Sequence, residues 1–194
     1  CCICGTSGSG KSTLLNQLAG MEKPTKGQVF IRGKNISDMN EEELAAFRQE
    51  HMSFIFQSYN LLPSMTAVEN VAMPLMFKGM DRKRREAMAE EMLKRVGLSH
   101  RLHHYPSQMS GGQQQRAGIA RAFVSRPEVV FADEPTGNLD TKTTAEIMDM
   151  VMGFARRFNQ TIILVTHDPG MSRYADRIVT LVDGIITGDE RKGQ

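Results

Sequence analysis

The residues of this chain that could do chemistry begin with the stretch GTSGSGKST at residues 5–13. Glycine, four residues and then Gly-Lys-Ser is the spacing of a phosphate-binding loop, whose backbone N–H groups surround the phosphates of a nucleoside triphosphate. Lys11 would reach the β- and γ-phosphates, and the Ser12 hydroxyl would bind Mg²⁺. The residues predicted to contact ATP in this loop are Gly5, Ser7, Gly8, Ser9, Gly10, Lys11, Ser12 and Thr13.

The segments on either side of the loop fit this interpretation. Residues 1–4 are apolar and predict a short buried strand, and residues 14–20 predict a helix that ends at Gly20. A strand, a glycine-rich loop and a helix N-terminus together form an anion site. A glycine-rich turn that matches by accident is the alternative, and this context disfavours it.

Two carboxylates end another apolar strand. Residues 129–132 are apolar, and Asp133 and Glu134 follow at the end of the strand where ligand sites of parallel sheets lie. Asp133 would hold Mg²⁺, directly or through water, and Glu134 would be the general base that orients the attacking water. The alternative is a polar strand end that meets a turn at Pro135, but the upstream phosphate loop favours a site.

Two further polar residues follow buried strands. Gln57 comes after residues 54–56 and is expected to contact Mg²⁺ or the water, at the hinge of a helical segment. His167 comes after residues 161–166 and is expected to hydrogen-bond the γ-phosphate. We interpret the other histidines as structural: His51, His100, His103 and His104.

A second anion site is predicted where the sequence SGGQQQR at residues 110–116 begins a helix. Its first turn offers a serine hydroxyl and bare backbone N–H groups, yet one chain that binds one nucleotide does not need two such sites. This motif, between the phosphate loop and Asp133-Glu134, resembles the ATP-binding-cassette ATPases, and the resemblance extends over the whole chain. It implies a glutamine loop at Gln57, a D-loop at residues 137–140 with Asp140, a switch histidine at His167, and a signature at Ser110, Gly111, Gly112 and Gln113.

The resemblance also implies partners. Two copies would pack head to tail, so that each signature caps ATP held by the other copy, and hydrolysis would release the pair. The motifs at residues 70–75, 105–106 and 132–140 are similar to those of bacterial lipoprotein-releasing, macrolide-export and bacitracin-type peptide-resistance ATPases. That subgroup implies a separate integral membrane permease, docked near residues 59–80, and a peripheral location on the cytoplasmic face of the plasma membrane.

Two other functions stay open at this point. One is a non-transport cassette protein that acts on ribosomes or DNA, although the compact insert, broken at Pro63 and Pro74, argues against it. The other is an ATP-gated adaptor of a membrane-anchored cell-division complex, against which the intact Glu134 and His167 favour hydrolysis. Cargo, direction of transport, the identity of the permease and nucleotide preference are not encoded in these motifs.

Three departures from the family pattern stand out. Met109 replaces the usual leucine before the signature, and Thr6 replaces a common proline in the loop. The upstream antiparallel strands, with the aromatic residue that stacks on adenine, are absent from the sequence, which opens on Cys1 rather than methionine. We therefore expect the native chain to extend further at the N-terminus.

The expected fold is a single α/β domain of 194 residues, a P-loop NTPase with a mostly parallel, RecA-like sheet. Residues 1–58 and 127–194 would form the nucleotide-binding core, and residues 59–126 an inserted helical subdomain that carries the signature. Strands are predicted at residues 28–32, 52–56, 128–132, 161–165, 177–182 and 185–187. Helices are predicted at residues 40–50, 66–77, 81–97 and 141–158, with Ala87, Met88, Met92, Leu93 and Val96 on the apolar face of the third.

Composition and the clustering of residue types indicate which partners, thiol states and exposed surfaces to expect. A net charge of +2 gives no indication of nucleic acid as a partner. The three cysteines share one short strand, where neighbours point to alternate faces, so buried free thiols are expected. The basic run at residues 82–85 predicts a solvated helix face, with a lipid or nucleic-acid patch as the alternative. Core filling or, alternatively, an adaptable docking surface is predicted for Met65, Met73, Met76 and Met80.

Overall fold

A six-stranded sheet forms the centre of the computed structural model, which describes residues 1–192. The strands are β1 (Cys2–Cys4), β2 (Phe30–Ile31), β3 (Lys34–Asn35), β4 (Met52–Phe56), β5 (Val129–Asp133), β6 (Thr161–Thr166), β7 (Arg177–Val182) and β8 (Ile185–Arg191). The strand order in the sheet is β4-β5-β6-β1-β7-β8; the first five of these strands pair in parallel, and β8 is antiparallel to β7. A separate two-stranded hairpin is formed by β2 and β3.

Six α-helices accompany the strands in residues 1–192: α1 (Lys11–Leu18), α2 (Glu41–His51), α3 (Ala67–Phe77), α4 (Arg82–Arg95), α5 (Gly111–Val124) and α6 (Thr141–Phe158). Between residues 59 and 126 the structure has α3, α4 and α5 and no strand. Capping boxes at Asn40, Thr66 and Ser110 satisfy first-turn N–H groups of α2, α3 and α5. Among the residues described, no helix is both long and apolar enough to cross a bilayer.

Two apolar clusters, one on each face, hold the sheet in place. Because side chains alternate along a strand, Ile3, Phe131 and Val165 join one cluster, in which helices α1 and α2 also take part. Ala132 and Leu164 join the other cluster, which includes buried residues of α3 to α6. Each fully buried large apolar side chain contributes about 1.5–3 kcal/mol, so strand order and helix placement are both strongly specified.

The predicted fold class is confirmed, with local differences. The strand predicted at residues 28–32 is only Phe30–Ile31, and the helix predicted from residue 14 already begins at Lys11. On the apolar face predicted for α4, Met92, Leu93 and Val96 are buried, but Ala87 is exposed. Ala89 is buried in its place, because it and those three residues follow the i, i+3, i+4, i+7 spacing of one helix face. The last strand runs to residue 191 and is antiparallel, since a tight turn joins it to β7.

The cysteines differ from expectation as well. All three are free thiols, but only Cys2 is fully buried. Cys2 and Cys4 lie two residues apart on the same face of β1, with their Sγ atoms 3.2 Å apart. Burial raises the pKa of the Cys2 thiol to about 12, so it stays protonated at neutral pH.

Candidate functional site

The loop between β1 and α1 has a backbone that other residue types would not adopt easily. Gly8 and Gly10 have φ angles of +80° and +89°, in the left-handed region. A methyl group on Gly5 would overlap the carbonyl oxygen of Leu181 on β7 and would lie 2.7 Å from Ser9 Oγ. The glycines are therefore required by the shape of the loop itself and by its contact with β7.

Polar contacts inside the loop converge on one carbonyl. Ser9 Oγ donates to the Thr6 carbonyl oxygen at 2.8 Å, and Lys11 Nζ donates to the same oxygen at 2.7 Å. Lys11 is only 7% exposed, so its ammonium group lies across the loop and does not extend into solvent. No side chain among the described residues caps the start of α1, which leaves its first N–H groups available to an anion.

Ser12 and Asp133 are two of the three residues that the sequence predicted as Mg²⁺ contacts, with Gln57 as the third. Ser12 Oγ donates to Asp133 Oδ1 at 3.3 Å, across the gap between α1 and the end of β5. Burial, and to a smaller extent the neighbouring Glu134, raises the pKa of the Asp133 carboxyl, while Ser12 and Lys11 oppose that shift. A hydroxyl and a carboxylate beside a phosphate loop are ligand types that Mg²⁺ accepts, so the residues present fit the ion.

Glu134 is held by three hydrogen-bonding contacts from the end of β6. Its Oε1 accepts from the backbone N–H of His167 at 2.8 Å and lies 2.7 Å from His167 Nδ1. Its Oε2 accepts from Thr166 Oγ1 at 3.0 Å. The backbone of Glu134 is left-handed, with φ +46°, a strained conformation for a non-glycine residue and one that recurs at functional sites.

Thr166 is the residue of this site that the sequence reasoning missed. It is buried, at 3% exposure, and its hydroxyl both donates to Glu134 and accepts from the N–H of Asp168 at 3.0 Å. A signal was present, because Thr166 is a polar residue that ends an apolar strand immediately before His167.

One cavity of about 420 Å³ is lined by the phosphate loop and by residues at the ends of three other strands. The strand order explains this, because β4, β5, β6 and β1 are neighbours and all end at the same edge of the sheet. The volume lies within the usual range of small-molecule sites. Its lining residues are Ser7, Gly8, Gly10, Lys11, Ser12, Thr13, Gln57, Glu134 and His167.

Gln57 is joined to the segment that leads into α6. Asn138 Nδ2 donates to the Gln57 carbonyl oxygen at 3.1 Å, and Gln57 Nε2 donates to Asn138 Oδ1 at 3.4 Å. A methyl group on Gly137 would lie 2.7 Å from Gln57 Nε2, so the contact is close. Asp140 then caps α6 by accepting from the N–H and hydroxyl of Thr143, and these hydrogen bonds lower the pKa of its carboxyl.

At the start of α5 the Ser110 hydroxyl is already used as a helix cap, which the sequence did not predict. Ser110 Oγ accepts from the N–H of Gln113 at 3.3 Å, and Gln113 Oε1 accepts from the N–H of Ser110 at 3.0 Å. Within the part of the chain that the structure describes, no side chain caps the N–H groups of Gly111 and Gly112, whereas Ser110 caps that of Gln113. The described lining of the 420 Å³ cavity includes no residue of 110–113, so within one chain the two predicted anion sites are separate.

Comparisons with known proteins agree with the motifs. The sequence profile of the family described as "ABC transporter" matches residues 1–137. The macrolide export ATP-binding/permease protein MacB of Shewanella sp. (strain W3-18-1) is 50% identical over 190 residues, which are 98% of this chain but 29% of that protein. The lipoprotein-releasing system ATP-binding protein LolD of Cytophaga hutchinsonii is 46% identical over 184 residues, 95% of this chain and 84% of that protein.

Comparison with a solved structure supports the same assignment of the fold. The dimeric, post-hydrolysis state of the ATP-binding cassette MJ0796, bound to ADP and Pi, superimposes with a TM-score of 0.91 at 41% sequence identity. The match covers 100% of this chain and 85% of that one. Both the predicted family and the predicted P-loop NTPase fold are therefore confirmed.

Proposed function

The chain belongs to the ABC transporter family, and from this we propose that it binds and hydrolyses MgATP at composite sites shared with a second copy of itself, to drive a separate membrane permease. The observation that carries the proposal is the single cavity in which the phosphate loop, Gln57, Glu134 and His167 meet. The names of the relatives favour a transport ATPase over the cell-division and non-transport alternatives.

Each group has a role that its contacts support. The loop N–H groups and Lys11 would bind the phosphates, and Ser12 and Asp133 would hold Mg²⁺. When bound, the ion would neutralise charge on the phosphate oxygens. Glu134, fixed in place by Thr166 and His167, would orient the attacking water and accept its proton.

A second copy would supply backbone N–H groups that the cavity of one chain does not contain. The start of α5 offers the unpaired N–H groups of Gly111 and Gly112, but these lie outside the cavity of their own chain. In a head-to-tail pair, each α5 would close the cavity of the partner, consistent with the dimeric state of the related MJ0796 cassette. Asp140 belongs to the segment that would lie at this interface.

The permease would dock in a groove between α3 and the core. This groove, of about 340 Å³, has apolar walls that include Phe54, Pro74 and Phe77, and Phe77 is 59% exposed. Arg121 supports its floor by donating to the carbonyl oxygens of Tyr59 and Asn60, at 3.0 and 2.6 Å. A docked permease would hold the chain on the cytoplasmic face of the plasma membrane, in a system of the macrolide-export or lipoprotein-releasing type.

Dimer formation provides the direct test. In a Glu134→Gln background, which blocks turnover, we expect MgATP to convert the chain from monomer to dimer in analytical ultracentrifugation. Ser110→Arg should prevent the dimer, because an arginine side chain would fill the space meant for the partner's nucleotide. The matched control is Ser99→Arg, the same change at an exposed serine of a 3-10 turn. A strictly monomeric chain, or equal effects of both arginines, would overturn the composite site.

A further inference from the structure

The turn that joins α3 to α4 carries an unusual concentration of charge. Residues 76–86, which we call the basic tip, contain five basic and two acidic residues and so have a net charge of +3, against +2 for the whole chain. The rest of the chain is therefore close to neutral in net charge, and the basic tip is a local concentration of positive charge.

Part of that charge has no internal partner. Arg82 forms an ion pair with Glu86 at 2.7 Å, and Arg85 donates to the carbonyl oxygen of Met80. Lys83 and Arg84 are exposed, and neither forms an ion pair within residues 1–192. Both lie in the first turn of α4, at the positive end of the helix dipole, so folding of the helix does not benefit from them.

Apolar surface is exposed at the end of α3 that leads into the first turn of α4. Met76 is 41% exposed and Phe77 is 59% exposed, at the end of α3. Large apolar side chains beside clustered lysine and arginine are typical of segments that rest on anionic bilayers. A solvated helix face, the interpretation favoured from sequence, accounts for the charges but not for exposed apolar side chains. Phe77 also lines the groove proposed for the permease, whereas Met76 lies outside that groove, beside Arg82 and Arg85.

The basic tip also adjoins the groove proposed for the permease. Phe77 lines that groove, and Lys78 Nζ donates to the Ser125 carbonyl oxygen at the end of α5. On the other side of the same helix end, Arg84 and the exposed Arg126 line a cavity of about 290 Å³. The groove and both arginines therefore lie at the same end of the helical segment.

We propose that the basic tip is a lipid-contact surface, in which Lys83 and Arg84 bind the headgroups of anionic phospholipids while Met76 enters the interfacial layer, together with Phe77 when no permease occupies the groove. An acidic protein surface would satisfy the cations, but the adjacent exposed apolar side chains favour the bilayer. The orientation of the tip in a complex rests on the proposed permease docking, whereas its affinity for lipid does not.

Protein-free vesicles test the proposal without any permease. The chain should co-sediment at low salt with vesicles of phosphatidylglycerol and phosphatidylcholine, but not with phosphatidylcholine alone, and high salt should release it. A basic residue near an anionic surface is worth about 1 kcal/mol, or about fivefold, so Lys83→Gln/Arg84→Gln should weaken partitioning by about 30-fold. Phe77→Ser should weaken it further, with less dependence on salt.

The matched control removes the same charge elsewhere. Arg156→Gln/Arg157→Gln changes two exposed arginines in the last turn of α6 and should leave vesicle binding within about twofold of the parent. Unchanged nucleotide affinity in all variants would show that they are folded. Equal losses in the two double variants, or no binding of the parent chain to anionic vesicles, would overturn the proposal. Retention only on vesicles that contain a permease would also overturn it, and would assign the basic tip to that protein.

Discussion

Replacing Glu134 by glutamine separates binding of the nucleotide from its hydrolysis. The amide is nearly isosteric with the carboxylate, and one of its two polar atoms still accepts a hydrogen bond from Thr166 or from the N–H of His167. The left-handed backbone at this position, with φ +46°, is equally accessible to both residue types. We therefore expect the fold, the cavity and the affinity for ATP to be retained, with a dissociation constant within about threefold of the parent.

Turnover should respond very differently. A positioned general base contributes about 10²–10⁴-fold to a rate, and an amide cannot accept the proton of the attacking water. The kcat for phosphate release should therefore fall by about 10²–10⁴, which corresponds to about 3–5 kcal/mol of transition-state stabilisation. Calorimetric titration with a non-hydrolysable ATP analogue and steady-state phosphate release would measure the two quantities separately.

The control lies at the other end of the same strand. Glu128 immediately precedes β5, and its Oε1 contacts Arg32 at 2.7 Å and His51 Nδ1 at 3.1 Å, away from the cavity. Glu128→Gln should cost at most about 1 kcal/mol of stability and leave kcat unchanged. Parental turnover in the Glu134 variant would refute the assignment of the base. A parallel loss of ATP affinity would instead make Glu134 a structural residue of the cavity.

Three further substitutions test the surroundings of the site. Thr166→Val removes a donor to Glu134 and should lower kcat by about tenfold without changing ATP affinity, while Thr166→Ser should restore the rate; equal rates for both variants would contradict the positioning role. Burial raises the pKa of Asp133, so the folded state binds the carboxyl proton more tightly than the unfolded state does. The ionised carboxylate therefore lowers the free energy of unfolding at pH values above the folded pKa. At pH values below the ordinary pKa of 3.8 the carboxyl is protonated in both states, and this destabilisation is absent. Asp133→Asn should thus raise the Tm of the ligand-free chain near neutral pH, by an amount that shrinks as the pH falls towards 4, and a lower Tm at neutral pH would contradict this. Gly5→Ala should lower stability by about 1–3 kcal/mol through overlap with β7, and more than Gly27→Ala, an open position with φ +90°, as thermal unfolding of both would show.

The parts of this molecule that sequence could predict are those that short motifs encode. The loop at residues 5–13 requires glycine for its backbone and lysine for charge, so its type and spacing nearly determine its structure. The end of β5 was equally readable, because an apolar strand followed by Asp133 and Glu134 places both carboxylates at the sheet edge. Capping residues such as Thr66 likewise marked where helices begin.

The parts that escaped prediction depend on contacts between distant segments. Thr166 appeared to be an ordinary strand residue, since its partner Glu134 lies 32 positions away and meets it only once β5 and β6 pair. The burial of Ala89 instead of Ala87, by contrast, was predictable from the sequence, because Ala89 shares the i, i+3, i+4, i+7 spacing with Met92, Leu93 and Val96. The roles of the site residues, the subdomain division at residues 59–126 and the permease contact stay predictions until the variants are measured.

The arrangement of the sheet has a consequence for how the chain responds to ligand. The cavity is bordered by the ends of β4, β5, β6 and β1, four adjacent strands that are spread over residues 2–166 of the sequence. Any occupant that touches all four is recognised only by the assembled sheet, so unfolding must release it. By mass action, a nucleotide at a hundred times its dissociation constant would add about 2.7 kcal/mol to the free energy of unfolding. A melting curve recorded with and without nucleotide would then report occupancy of the cavity and the integrity of the entire sheet in one measurement.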